Sequence, residues 1–175
     1  MEKKIKYYRL IKLAVFVAIA ILTFFLRDIF INYLKYSIGG LMLLYGFEEV
    51  AFGIIFKWDQ ISHDDKLYLG FIELLFGSIL LFTHIDYESV CIIWATWSIV
   101  RESYEIKEII VHLKNNILKA VSGIESLTII VFSVILILNP TQMHAMIHLY
   151  ILLLVELILT PLIPILDEIK INNKH

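Results

Sequence analysis

Acidic residues recur inside the apolar segments of this sequence, at similar distances from one set of segment ends. Charged residues in such segments are costly, so those that persist usually have a role. The intramembrane polar layer predicted from this spacing consists of Glu49, Glu73, Arg101, Glu102, Glu125 and Glu156. Its carboxyl groups could join helices through hydrogen bonds. They could instead line a water-filled cavity and bind protons or small cations.

Glycines accompany these acids at helical spacing. The pattern Gly-x-x-Glu-x-x-x-Gly occupies 46–53 and again 70–77, and spacings of three and four place its members on one helix face. Glycine allows the backbones of membrane helices to approach closely. The glycines predicted to pack helices together are Gly39, Gly46, Gly53, Gly70, Gly77 and Gly123.

A histidine group lies near the turns on the side away from this layer. His84, His144 and His148 could form an outer pH-sensing group, because histidine changes charge between about pH 5 and 8, or they could be ordinary interfacial residues. The i, i+4 spacing of His144 and His148 could present two nitrogens to a metal ion. The sequence fixes no third ligand and no intervening glutamate, so no metal site is predicted.

No phosphate-binding loop, nucleophile elbow or hydrolase triad occurs in the sequence. The sequence therefore predicts no catalytic residues, no cofactor and no enzyme activity. The single cysteine, Cys91, excludes an internal disulfide framework.

The composition indicates which elements hold these residues. Of 175 residues, 59% are hydrophobic and 18% are charged, and the mean hydropathy is +0.81. This exceeds what one small soluble core can bury, so the lipid bilayer is the predicted partner. A net charge of -2 without a basic stripe argues against nucleic acid binding.

Six apolar runs follow one another along the chain, and about 20 apolar residues suffice for a helix to cross a bilayer. They are Leu10–Leu26, Leu34–Phe56, Leu67–Phe82, Ser89–Ile110, Ile117–Leu138 and Ala145–Leu166. The sequence thus predicts an all-α polytopic membrane protein with six transmembrane helices, forming one integral membrane domain over 1–175. Lysine and arginine concentrate at the termini and the even-numbered connections, which predicts an inner (cytoplasmic) membrane location with both termini cytoplasmic.

The six runs are predicted to form three tandem helical hairpins, over about 10–57, 66–113 and 117–167. Glu102 follows Glu49 by 53 residues, and Glu156 follows Glu102 by 54. Repeats of this length are typical of stacked helical hairpins.

This arrangement resembles the HdeD-type acid-resistance membrane proteins. The resemblance depends on Leu69-Gly70 through Gly77, on Trp94 through Val100-Arg101-Glu102 with a basic end at Lys114, and on Gly123 through Asn139-Pro140. Glu102 departs from the family pattern, which tends to have glycine after the arginine. The resemblance implies a six-span inner-membrane protein linked to acid stress, and it supplies no catalytic residues.

Three functions remain open at this point. The first is a non-enzymatic acid-stress protein held together by a protonatable glutamate layer. The second is a small proton- or cation-coupled transporter or channel that uses the same layer. The third is a membrane subunit that binds another protein, and a homo-oligomer is compatible with each of them.

Overall fold

The computed structural model describes residues 2–55, 60–111 and 117–172. Within these ranges the chain forms seven α-helices, which confirms the all-α prediction. They are α1 (Glu2–Phe25), α2 (Arg27–Asn32), α3 (Leu34–Ile55), α4 (Gln60–Phe82), α5 (Tyr87–Val111), α6 (Ile117–Leu138) and α7 (Met143–Asn172).

Within the described residues, three helices, rather than the six predicted, are long and apolar enough by themselves to cross a membrane. Among the described residues these stretches are Tyr7–Phe25, Ala120–Leu138 and Met143–Ile163. Leu67–Phe82 is a shorter apolar helix. The predicted runs in α3 and α5 do form helices, and α5 interrupts its apolar residues with Arg101 and several glutamates.

The short helix α2 was not predicted. It occupies the connection between the first two apolar runs, where the sequence indicated only a longer turn. Its Phe30 is buried and packs against Trp94 and Tyr150, with ring centroids 6.4 and 5.2 Å away. This aromatic contact gives the connection a helical face that is buried against α5 and α7.

The helices run between two ends of one bundle. The N-terminal end contains the start of α1, and the turn end contains the connections at 83–86 and 139–142. Helix α3 packs most extensively on α4, α5 packs on α6, and α1 packs on α7. Each of these three contacts joins two different predicted hairpins, and the three-hairpin repeat itself stays a prediction.

Glycines produce the close contact between α3 and α4. A Cβ atom added to Gly46 would lie 2.7 Å from the Gly70 carbonyl oxygen, and one added to Gly77 would lie 2.9 Å from the Gly39 carbonyl oxygen. The two backbones therefore touch at two levels. Gly123 of α6 is different, because its nearest neighbour would be an Ile109 methyl group at 3.9 Å. Gly53 is buried near the end of α3.

Candidate functional site

A buried arginine forms the centre of the predicted polar layer. Arg101 of α5 is 4% exposed, and its Nη1 atom donates a hydrogen bond to Glu73 Oε1 at 2.7 Å. Its Nε atom donates to Glu156 Oε1, also at 2.7 Å. Glu49 Oε1 lies 3.6 Å from Nη1. These four side chains, here called the Arg101 cluster, link α3, α4, α5 and α7.

Two aromatic side chains complete the surroundings of the Arg101 cluster. The guanidinium carbon of Arg101 lies 3.7 Å from the centroid of the Tyr45 ring, which is a cation–π contact. Trp97 Nε1 donates a hydrogen bond to Glu73 Oε1 at 2.9 Å. Sequence reasoning missed both residues, although Trp97 precedes Arg101 by one helical turn and was therefore placed to share its surroundings.

The Arg101 cluster contains more carboxyl groups than its cation can neutralise. One guanidinium faces three glutamates, and Oε2 atoms of Glu49 and Glu73 have no hydrogen-bond partner within the described part of the chain. Uncompensated charge is costly in apolar surroundings. Three ionised carboxylates beside a single guanidinium would therefore leave uncompensated negative charge in the cluster.

A second ion pair lies nearer the N-terminal end, between α1 and α3. Lys12 Nζ lies 2.8 Å from Glu48 Oε2, and the Tyr8 hydroxyl donates to Glu48 Oε1 at 2.5 Å. Glu48 directly precedes Glu49, so these contacts connect α1 to the edge of the Arg101 cluster. The pairing was not predicted, because it depends on how α1 packs against α3.

The remaining predicted acids, Glu102 and Glu125, belong to α5 and α6. Glu102 is 1% exposed, and Glu125 is half-buried. Ser126, also 1% exposed, is a neighbour of the Glu102 carboxyl group. Glu102 Oε1, Glu125 Oε1 and Ser126 Oγ have no hydrogen-bond partner among the residues that the structure describes. We call these three side chains the Glu102 group.

The structure thus divides the predicted layer into two parts. Glu49, Glu73, Arg101 and Glu156 are brought together by direct contacts. Glu102 and Glu125 make none of these short contacts with Arg101. Adjacent positions on a helix point about 100° apart, which explains why Arg101 contacts Glu73 and Glu156 whereas Glu102 lies beside Ser126.

The outer histidines lie at the surface of the turn end. His84, His144 and His148 are all exposed. His148 stacks on Phe132 with centroids 4.6 Å apart, and its Nδ1 atom lies 2.7 Å from the His144 carbonyl oxygen. Their pH-sensing role stays a prediction. Across the described ranges, no group of three or more His, Cys, Asp or Glu side chains could hold a metal ion.

No family model, curated protein or solved structure matches this chain. Its resemblance to the HdeD-type proteins therefore stays a prediction from the residues quoted above.

Proposed function

We propose that this chain is a non-enzymatic integral protein of the inner (cytoplasmic) membrane that functions in acid stress through its buried glutamate layer. The observation that carries this proposal is the Arg101 cluster, in which one buried guanidinium faces carboxyl groups from three other helices. Such a cluster joins the helices. Its charge also depends on how many protons the layer holds.

A six-span topology with both termini in the cytoplasm is part of the proposal. Three helices meet the length and apolarity of a membrane span unaided. Helices α3, α4 and α5 carry large exposed apolar side chains as well, such as Phe47, Leu75 and Ile92. A surface of this kind needs an apolar solvent. Charged side chains of α4 and α5 are turned inward, as in Glu73, Arg101 and Glu102.

The acid-stress role can be tested by the survival of cells from which the gene has been removed. We expect fewer of these cells to survive an acid shock and the wild-type protein to restore survival. Arg101→Leu should not restore it, because three carboxyl groups lose their cation. Arg27→Leu, an exposed position at the turn end, is the matched control. Equal survival with and without the wild-type chain, at verified protein levels, would contradict the role.

Proton- or cation-coupled transport is the second candidate function. The observation that favours it is the Glu102 group, whose buried polar atoms have no partner within the described residues. Purified protein in liposomes loaded with a pH-sensitive dye would test this function. A proton flux that is lost in Glu102→Gln, while the variant stays folded, is the expected result. Wild-type liposomes that are no more permeable to protons than empty ones would contradict it.

A further inference from the structure

We propose that Glu102 is the proton-exchanging residue of the glutamate layer, with Ser126 as its hydrogen-bonding neighbour, whereas the carboxyl groups of the Arg101 cluster serve as ion-pair partners. The inference rests on the proposed function, since it names the proton site of the same layer. It assigns different roles to residues that look equivalent in the sequence.

The first observation is that Arg101 and Glu102, although adjacent on α5, contact different side chains. Arg101 directs two nitrogen atoms to Glu73 and Glu156 on α4 and α7. Glu102, the next residue on α5, is buried beside Ser126 on α6. The two short Arg101 contacts are thus made to Glu73 and Glu156 and not to Glu102. Proximity in sequence does not make this arginine the ion-pair partner of Glu102.

Ser126 provides an observation independent of the acids. Hydroxyl groups inside a helix commonly donate to the carbonyl oxygen four residues earlier. Thr96, Ser103 and Thr128 do so here at 2.7 to 2.8 Å. Ser126 is 1% exposed, and its Oγ atom makes no hydrogen bond of normal geometry within the described residues, although it lies near enough to the Glu102 carboxyl group to donate to it. Its hydroxyl group therefore remains available to the neighbouring Glu102 carboxyl group, and a buried hydroxyl without a partner is unfavourable.

The charged groups around Glu102 are mostly acidic. They are Glu156 of α7, Glu105 of the same helix, and Arg101. Glu125 of α6 also experiences the charges of Glu156 and Glu105. A buried carboxylate among other carboxylates requires a positive ion nearby. No metal-holding group exists among the described residues, and a proton needs only one carboxyl oxygen.

A half-buried acid near Glu102 provides a route for exchange. Glu105 lies three residues further along α5, about 4.5 Å along the helix axis, in the direction of the N-terminal end. It is more exposed than Glu102 and is one of the charged groups around it. A proton that leaves Glu102 toward the N-terminal end therefore passes the Glu105 carboxyl group.

Labelling with dicyclohexylcarbodiimide tests the proposal, because this apolar reagent enters bilayers and modifies protonated carboxyl groups. The full-length protein in sodium-free liposomes would be labelled over a pH series and the modified residues identified by mass spectrometry. We expect Glu102 to be labelled in a pH-dependent manner and Glu73 and Glu156 to stay unlabelled. Ser126→Ala should move the midpoint of Glu102 labelling upward by about one pH unit, because the ionised carboxylate loses a hydroxyl donor.

Ser133→Ala is the matched control. Ser133 is equally buried on α6 and also lacks a partner among the described residues, but it lies nearly two turns further from the acids. The pH midpoint of Glu102 labelling in Ser133→Ala should equal that in the wild-type protein. Equal shifts in the two serine variants would overturn the role of Ser126.

Three other outcomes would overturn the assignment of Glu102. They are preferential labelling of Glu73 or Glu156, pH-dependent labelling of Glu125 but not of Glu102, and protection of Glu102 by sodium ions at constant pH, which would identify a metal cation as the occupant. These outcomes leave the acid-stress role in place, since survival after acid shock is measured separately. Conversely, normal labelling in a chain that does not affect survival would retain the proton site and contradict the proposed function.

Discussion

The guanidinium group of Arg101 lies on the ring of Tyr45, 3.7 Å from its centroid, while its nitrogen atoms contact the carboxyl groups of Glu73 and Glu156. The aromatic face and the acids therefore satisfy the cation from different sides. This arrangement allows the contributions of charge, ring and hydroxyl group to be separated by substitution.

Removing the arginine should be among the most damaging single changes. Arg101→Leu leaves Glu49, Glu73 and Glu156 without their cation, and breaking a buried ion pair typically costs about 3–5 kcal/mol. Arg101→Lys keeps the charge but loses the planar set of donors, so we expect a smaller loss. The free energy of unfolding in detergent micelles would measure the loss of stability in each variant. Equal stability of Arg101→Leu and wild type would show that the Arg101 cluster does not hold the bundle together.

Substitutions at Tyr45 should separate its ring from its hydroxyl group. The hydroxyl oxygen is buried without a hydrogen-bond partner in the described part of the chain, so Tyr45→Phe should be neutral or slightly stabilising. Tyr45→Leu removes the cation–π contact and leaves a packing defect, at a cost of about 2 kcal/mol or more. Thermal unfolding of the two variants would provide the comparison. A loss in Tyr45→Phe as large as that in Tyr45→Leu would mean that the hydroxyl group has an essential partner.

The contact between α3 and α4 should tolerate no side chain at Gly46. Its Cβ atom would lie 2.7 Å from a carbonyl oxygen of the facing backbone, which has no flexible side chain to move aside. We expect Gly46→Ala to destabilise the protein by about 1–3 kcal/mol, because overpacking forces the helices apart.

Gly40→Ala is the control for this change, since nothing lies within 4 Å of a Cβ atom at that position. It should be neutral or stabilising, by up to about 1 kcal/mol, because alanine favours helix more than glycine does. Chemical unfolding of both variants would show the difference. A similar loss of stability in Gly40→Ala and Gly46→Ala would argue against a close backbone contact at Gly46.

Asp86 should make the start of α5 sensitive to acid. Its carboxylate accepts hydrogen bonds from the Ser89 backbone N–H and hydroxyl group at 3.0 and 2.8 Å, and these bonds lower its pKa below the ordinary value of 3.8. Because the folded-state pKa is the lower one, this stabilisation is complete above the ordinary value and is lost as the pH falls through the folded-state value.

Asp86→Ala should therefore lower the thermal midpoint near neutral pH, and the difference from wild type should shrink at strongly acidic pH. The neighbouring exposed Glu88→Gln serves as the control. A difference that stays constant from neutral to strongly acidic pH would exclude Asp86 as the titrating cap.

Periodicity and composition were sufficient to predict the all-α class and the helical nature of each apolar run. They also identified Arg101 as the basic residue of the polar layer. Counting apolar residues overestimated the number of independently apolar spans, because helices such as α5 contain buried charges that only packing can satisfy. The short helix α2 was missed since its formation accompanies the burial of Phe30 against distant aromatic rings.

The division of the glutamates could not be predicted in the same way. Glu49, Glu102 and Glu156 look equivalent at repeat spacing, yet Glu49 and Glu156 belong to the Arg101 cluster and Glu102 does not. Which acid meets the arginine depends on helix rotation and on the choice of neighbouring helix. Both arise from contacts between residues far apart in the sequence.

The glycine contacts hold α3 and α4 together as one rigid pair of helices. Two levels of backbone contact leave little room for one helix to twist or slide against the other. Glu49 and Glu73 both belong to this pair of helices, whereas Glu156 belongs to α7. We expect Arg101 to tie α7 to the pair, so that weakening its contact with Glu156 would loosen this one link while α3 and α4 stay packed together and α7 keeps its contacts with α1 and α6.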